Sequence, residues 1–181
     1  KFYQDTTLQT LIAAVESEYA NTEDIDQQLS TAFSRLKQAL PRIEVPKVYA
    51  QISALDQSII VGNGAIGVSL DKYLGANYPL YIKYYSPSQR KQMTREYILP
   101  DCLTFYLMSI YPLDHFDSRP QLERDLQIGK IQWIVNQVIS KRIYRNKYED
   151  AVDVYMKRNP NISYETLLRM TDFAAFKVVE N

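Results

Sequence analysis

The sequence predicts an α+β fold that is predominantly helical, and three observations carry the prediction. Apolar residues recur three and four apart through most of the chain. One central stretch, Lys47 to Asp71, alternates at period two instead, and within it an Asn63-Gly64 pair sits between two apolar runs. The expected architecture is two N-terminal helices, a small antiparallel sheet with a β-hairpin, and a C-terminal helical bundle. With 181 residues and 46% hydrophobic content the chain can bury a core, and no linker or internal repeat is visible, so a single domain over residues 1–181 is expected. No apolar run approaches the roughly 18 residues that cross a bilayer.

The first helix follows from Leu8, Leu11, Ile12, Val15 and Tyr19 at helical spacing, behind the capping candidates Asp5, Thr6 and Thr7. The second carries Ile25, Leu29, Phe33, Leu36 and Leu40 as one apolar stripe. Asn21 or Thr22 caps it, and Pro41 stops it because the ring cannot continue a helix. After the connection Pro41 to Pro46, Val48, Ala50 and Ile52 alternate with polar neighbours as in a half-buried strand, and Ser58 to Val61 gives a second short strand.

Gly62-Asn63-Gly64-Ala65-Ile66-Gly67 matches the G-x-G-x-x-G of dinucleotide sites. That fingerprint needs a helix starting within it, so that amide groups meet a pyrophosphate, and an acidic residue roughly 20 positions later. Here the chain continues as a β-like apolar run to Leu70. Asn63-Gly64 supplies the positive φ that a type I′ turn requires at both residues, so the segment reads as a hairpin and no cofactor is expected.

Asp71 to Tyr85 reads as irregular and aromatic. Ser86-Pro87 opens a short helix to Met93, and Pro100 repeats the device for a helix to Ile110 with Leu103, Tyr106, Leu107 and Ile110 on its inner face, ended by Pro112. In the loop Asp114 to Pro120, Ser118 is expected to cap a long helix carrying Leu122, Leu126, Ile131, Ile134, Val135, Val138 and Ile139. Gly129 inside that helix costs about 1 kcal/mol against alanine, so a close helix contact is expected to require it. The basic cluster Lys141, Arg142, Arg145 and Lys147 reads as a solvated helix end, where cations complement the dipole. Tyr148 to Arg158 and Tyr164 to Met170 complete the bundle. Asn161-Ile162-Ser163 matches a glycosylation acceptor but reads as the cap of the second of these, and Thr171 or Asp172 caps a last apolar segment, Phe173 to Val179.

Lys plus Arg and Asp plus Glu both number 21, so there is no net basic field and no nucleic-acid partner is expected. A single cysteine, Cys102, lies in an apolar run and reads as a small buried residue. A single histidine, His115, excludes any H-E-x-x-H, and no G-x-S-x-G accompanies it, so no metal and no triad are expected. Asp101 stands in the first turn of an apolar helix, a place the dipole favours for an acid. The chain has fifteen tyrosines, and seven of them fall between Tyr73 and Tyr106; tyrosine suits half-buried surfaces with one wet end.

The run Val68-Ser69-Leu70-Asp71-Lys72-Tyr73-Leu74-Gly75, followed by Asn77-Tyr78-Pro79, Tyr81, Met93 and Ile98-Leu99-Pro100-Asp101, resembles the gliding-motility lipoprotein family GldB. The resemblance continues through Gly129-Lys130-Ile131 to Tyr155-Met156, Asn159-Pro160 and Thr171-Asp172. It implies an extracytoplasmic, membrane-anchored lipoprotein of Bacteroidetes-type bacteria, in the periplasm or outer membrane. The lipid anchor would sit on an N-terminal cysteine absent from this chain, which begins without Met as a trimmed chain would. The family is also similar to predicted zinc peptidases of the zincin type. Where their H-E-x-x-H helix would lie, this chain reads Pro100-Asp101-Cys102-Leu103-Thr104-Phe105, so the resemblance implies a zincin-like scaffold without zinc.

The leading expectation is therefore a non-catalytic envelope protein that binds an unidentified protein partner. The candidate partner-binding residues are Asp71, Tyr73, Tyr78, Tyr81, Tyr84, Tyr85 and Asp101, since tyrosine is enriched at interface hot spots. A hydrolase using Asp101 without a metal, and a carbohydrate-binding module that stacks sugars on aromatic faces, are the alternatives.

Overall fold

The computed structural model describes residues 6–179, so the capping candidate Asp5 lies outside the described residues. The chain divides into two compact units, one made of residues up to Thr31 with Val45–Cys102, the other of Ala32–Glu44 with the chain from Leu103 onward. Helices α2 (Glu23–Ala39) and α5 (Ile98–Ile110) contribute residues to both.

The first unit begins with α1 (Thr6–Glu18), which buries Leu8, Leu11 and Val15 as their spacing predicts and packs on a 3₁₀ turn at Leu70–Lys72. At the start of α2, Asn21 Oδ1 accepts the Glu23 amide at 2.8 Å. Glu23, Asp24 and Asp26 place negative charge in that first turn, where the dipole favours it. Arg95 ties down the turn between α1 and α2. Its guanidinium donates to the Glu18 carbonyl at 3.0 Å and the Asn21 carbonyl at 2.7 Å, and pairs with Asp24 at 2.6 Å.

The sheet comprises β1 (Lys47–Gln51), β2 (Ile59–Gly62) and β3 (Ala65–Ser69) in the order β1-β3-β2. β2 and β3 form the expected hairpin. Asn63 and Gly64 have φ of 47° and 72°, the left-handed pair that this turn demands. β1, however, pairs with β3 in parallel, from Lys47↔Ala65 to Gln51↔Ser69, so the sheet is mixed rather than antiparallel throughout. The central place goes to the most buried strand: Ile66 and Val68 of β3 are buried, whereas β1 is an edge strand with Ala50 exposed and Ile52 beyond its end. The chain reaches the far edge through a tight loop in which Ala54 and Leu55 both have positive φ. Two short helices follow, α3 (Pro79–Tyr84) and α4 (Pro87–Arg90). Ser86 and Gln89 close a reciprocal capping box on α4, which ends at Arg90, short of the expected Met93.

In the second unit the long helix α6 (Gln121–Ile139) packs against α7 (Lys147–Arg158) and α8 (Tyr164–Arg169). Gly129 has the reason anticipated for it. A Cβ there would lie 2.9 Å from Tyr148 Cβ and 3.0 Å from the Tyr148 backbone carbon. Ser118 does not cap α6; its hydroxyl donates to the His115 carbonyl at 3.0 Å inside a 3₁₀ turn, and Pro120 takes the capping position. The basic cluster is also not simply solvated. Arg142 pairs with Glu149, which is only 1% exposed, and with Asp150. Asn136 donates to the same carboxylate at 3.1 Å. Asn146 caps α7 through the Tyr148 and Glu149 amides, and Ser163, the expected one of the two caps, caps α8 through the Thr166 amide. Asp172 caps a 3₁₀ turn, Phe173–Ala175. Lys130 is fully buried and donates to the carbonyls of Leu168 at 3.3 Å and Met170 at 2.7 Å.

Candidate functional site

The segment that reads as irregular in sequence contains α3. Pro79 sits at its first position, where the missing amide is harmless and the fixed φ already fits a helix. This starts a helix that puts Tyr78, Tyr81 and Tyr85, three and four apart, on one side. The Tyr78 and Tyr85 rings meet Tyr81 edge-on at 5.0 and 5.9 Å. Tyr81 is fully buried. Its hydroxyl accepts the Leu74 amide at 3.0 Å and donates to the Asp71 carbonyl, so α3 is stitched to the chain that leaves the sheet. Burial pushes the Tyr81 phenol up from its ordinary value.

Asp71 is buried too, and both of its carboxylate oxygens are engaged. Oδ1 accepts the Ser53 amide at 3.0 Å and Oδ2 the Leu55 amide at 2.7 Å, across the loop where Ala54 and Leu55 adopt left-handed conformations. Lys72 extends the clamp, donating to the Leu55 carbonyl at 3.1 Å and to the Tyr85 hydroxyl at 3.0 Å.

Tyr73 belongs to a neighbouring network. It is 1% exposed, its carbonyl accepts the Tyr19 hydroxyl at 2.6 Å, and its own hydroxyl donates to Asp101 Oδ2 at 2.8 Å. Burial, and then the Asp101 charge, hold its phenol above the ordinary value. Beside Asp101, Cys102 is fully buried, and burial pushes its thiol up, away from a reactive thiolate.

The candidate residues therefore separate into two groups. Asp71, Tyr73 and Tyr81 are buried and support the surface without forming it, and Asp101 is half-buried beneath Tyr73. Tyr84, 63% exposed, and the half-buried Tyr78 and Tyr85 remain reachable. Sequence reasoning missed Ile82, which is 57% exposed on α3. The signal was Pro79, read as part of a connection instead of as a first helical position. Lys83 lies between Ile82 and Tyr84, its ammonium 5.0 Å from the Tyr84 ring centre. His115 sits exposed in its loop with φ of 57°.

Among the described residues no group of three or more His, Cys, Asp or Glu side chains is placed to hold a metal ion, and no helix is long and apolar enough to cross a membrane. The geometry thus defines an α+β chain with a braced aromatic helix on its surface. The family model for gliding motility protein GldB matches residues 1–147, and the chain belongs to that family. The C-terminal motifs from Tyr155 onward lie beyond the matched span. No curated protein and no solved structure matches the chain.

Proposed function

We propose that this member of the GldB family is an extracytoplasmic lipoprotein domain that binds a protein partner at the cell envelope without catalysing a reaction. Membership of the family supports the lipoprotein part of the reading. The binding part rests on α3: Tyr81 fixes it from below while Ile82 and Tyr84 stand 57% and 63% exposed above. Large apolar and aromatic side chains on a pre-braced helix lose little conformational freedom on binding, which is how an anchor contributes affinity. The absence of catalysis is supported by how the acids are used, since Asp71 has both oxygens on backbone amides and Asp101 accepts the Tyr73 hydroxyl.

The test is substitution on the outer face. Ile82→Asp and Tyr84→Asp are expected to abolish partner capture from envelope membranes while leaving the melting temperature within about 2 °C, because neither side chain is in the core. Capture unchanged by both substitutions would refute the reading. The exposed Tyr84 ring also favours a second reading, a carbohydrate-binding surface. Calorimetric titration with envelope polysaccharide separates the two: heat lost in Tyr84→Ala supports sugar binding, and no heat counts against it.

A further inference from the structure

A cavity of about 160 Å³ lies among the last turn of α5, the connection from Pro112 to Phe116, and the middle of α6. Its wall is almost wholly apolar, supplied by Met108, Leu113, Phe116, Ile128 and Ile131. The exception is Gln127, which lines the cavity and is only 4% exposed. Its Nε2 donates to the Tyr111 carbonyl at 3.2 Å, and this fixes the amide, because the reverse orientation would set two acceptors against each other. The other end, Oε1, is buried and meets no donor from the protein.

A buried carbonyl left without a donor is destabilising, and native proteins carry few of them. An apolar cavity of roughly 150 Å³ holds one benzene ring. We propose that this cavity binds a single-ring apolar group carrying one hydroxyl or N–H donor, seated against Gln127 so that a small rotation of its buried amide brings Oε1 to that donor. Such a ligand fills the apolar wall and completes the amide in one step. A ring without a donor fills the same wall and leaves Oε1 unpaired, so the site discriminates between the two. Gln127 also borders a polar pocket of about 280 Å³ that includes Asp114 and Arg119. The competing account is that solvent from that side satisfies the amide, in which case no discrimination arises.

The probes are phenol and benzene, titrated into the chain with the methyl groups of Met108, Ile128 and Ile131 followed by NMR. Phenol is expected to shift these methyls saturably and to bind at least about tenfold more tightly than benzene. Gln127→Leu is expected to reverse the order. Ile128→Phe, which fills the cavity from a half-buried position and leaves Gln127 in place, is expected to remove both responses and decides the matter if the Gln127 variant does not fold. No saturable shift, equal affinity for the two probes, or a response that survives Ile128→Phe would overturn the proposal.

Discussion

The Tyr73 hydroxyl donates to Asp101 Oδ2 at 2.8 Å, joining the chain that leaves the sheet to the first turn of α5. Because Tyr73 is 1% exposed, this is a buried donor on a carboxylate, the kind of bond that is costly to leave half made. Tyr73→Phe is expected to lower stability by about 1 to 2 kcal/mol in urea titration. Asp101→Asn keeps an acceptor for the phenol and is expected to lose less. On a panel of peptide and glycan substrates, neither parent nor Asp101→Asn is expected to show turnover. Turnover by the parent that disappears in Asp101→Asn would establish the hydrolase alternative.

Asp71 controls a strained loop. Ala54 and Leu55 hold φ of 56° and 66°, an arrangement that costs a non-glycine residue on the order of 1 kcal/mol each and persists only while something enforces it. The enforcing bonds are those from the Ser53 and Leu55 amides to Asp71. Asp71→Ala is expected to destabilise the fold by about 2 kcal/mol or more and to raise hydrogen exchange at the Ser53 and Leu55 amides ahead of global unfolding. Unchanged protection at those two amides would show that the loop is held by other means.

Gly129→Ala sets helix propensity against packing. Alanine would gain about 1 kcal/mol in a free helix. Here its methyl group meets Tyr148 Cβ at 2.9 Å and the Tyr148 backbone at 3.0 Å, and backbone does not swing aside as a flexible side-chain tip does. A net loss of roughly 1 to 3 kcal/mol is expected from denaturant titration, and a neutral or stabilising result would mean that α6 and α7 separate easily.

Lys130 gives a pH signature. Burial lowers its pKa to about 8, against about 10.5 in the unfolded chain. Between those values the unfolded chain binds more protons, so stability rises with pH; the contribution is complete above 10.5 and is lost as pH falls through 8. Tyr19, Tyr73 and Tyr81 act in the opposite sense, since burial holds their phenols above the ordinary value and stability falls once unfolded tyrosine ionises above about pH 10. Burial also raises the Cys102 thiol above its ordinary value of 9.0, so the unfolding free energy is expected to climb from about pH 8 to about 9, level off as the unfolded thiol ionises, and decline above about pH 10. In Lys130→Met the climb should be absent and the decline kept.

Legibility in the sequence followed the range of the interactions. Elements set by neighbouring residues were readable: the α2 stripe, the Asn63-Gly64 turn and the Ser86 and Ser163 caps appear where local pattern places them, and the contact at Gly129, though its partner Tyr148 is distant, was signalled by a glycine inside a helix. What depended on distant partners was not. The parallel pairing of β1 with β3 skips β2 and sets Lys47 opposite Ala65, so pairing in sequence order does not reveal it. Arg142 reads as a solvated charge because its partner Glu149 lies seven residues on, across the α6–α7 connection. The same limit applies to the candidate site. Tyrosine content singled out the segment, but a count cannot tell Tyr81, which is fully buried, from Tyr84, which is exposed; the phase of α3 does, and Pro79 sets that phase.

The central claim is that α3 presents a partner-binding surface, and the most direct measurement is site-specific photocross-linking in living envelope. A photoreactive residue replaces Tyr84 in the full lipoprotein, and a control carries it at Leu122, which is 51% exposed on α6. One discrete adduct at position 84, lost on adding Ile82→Asp and absent at position 122, is the result predicted. Equal labelling at the two positions, or an adduct at 84 indifferent to Ile82→Asp, would contradict the account.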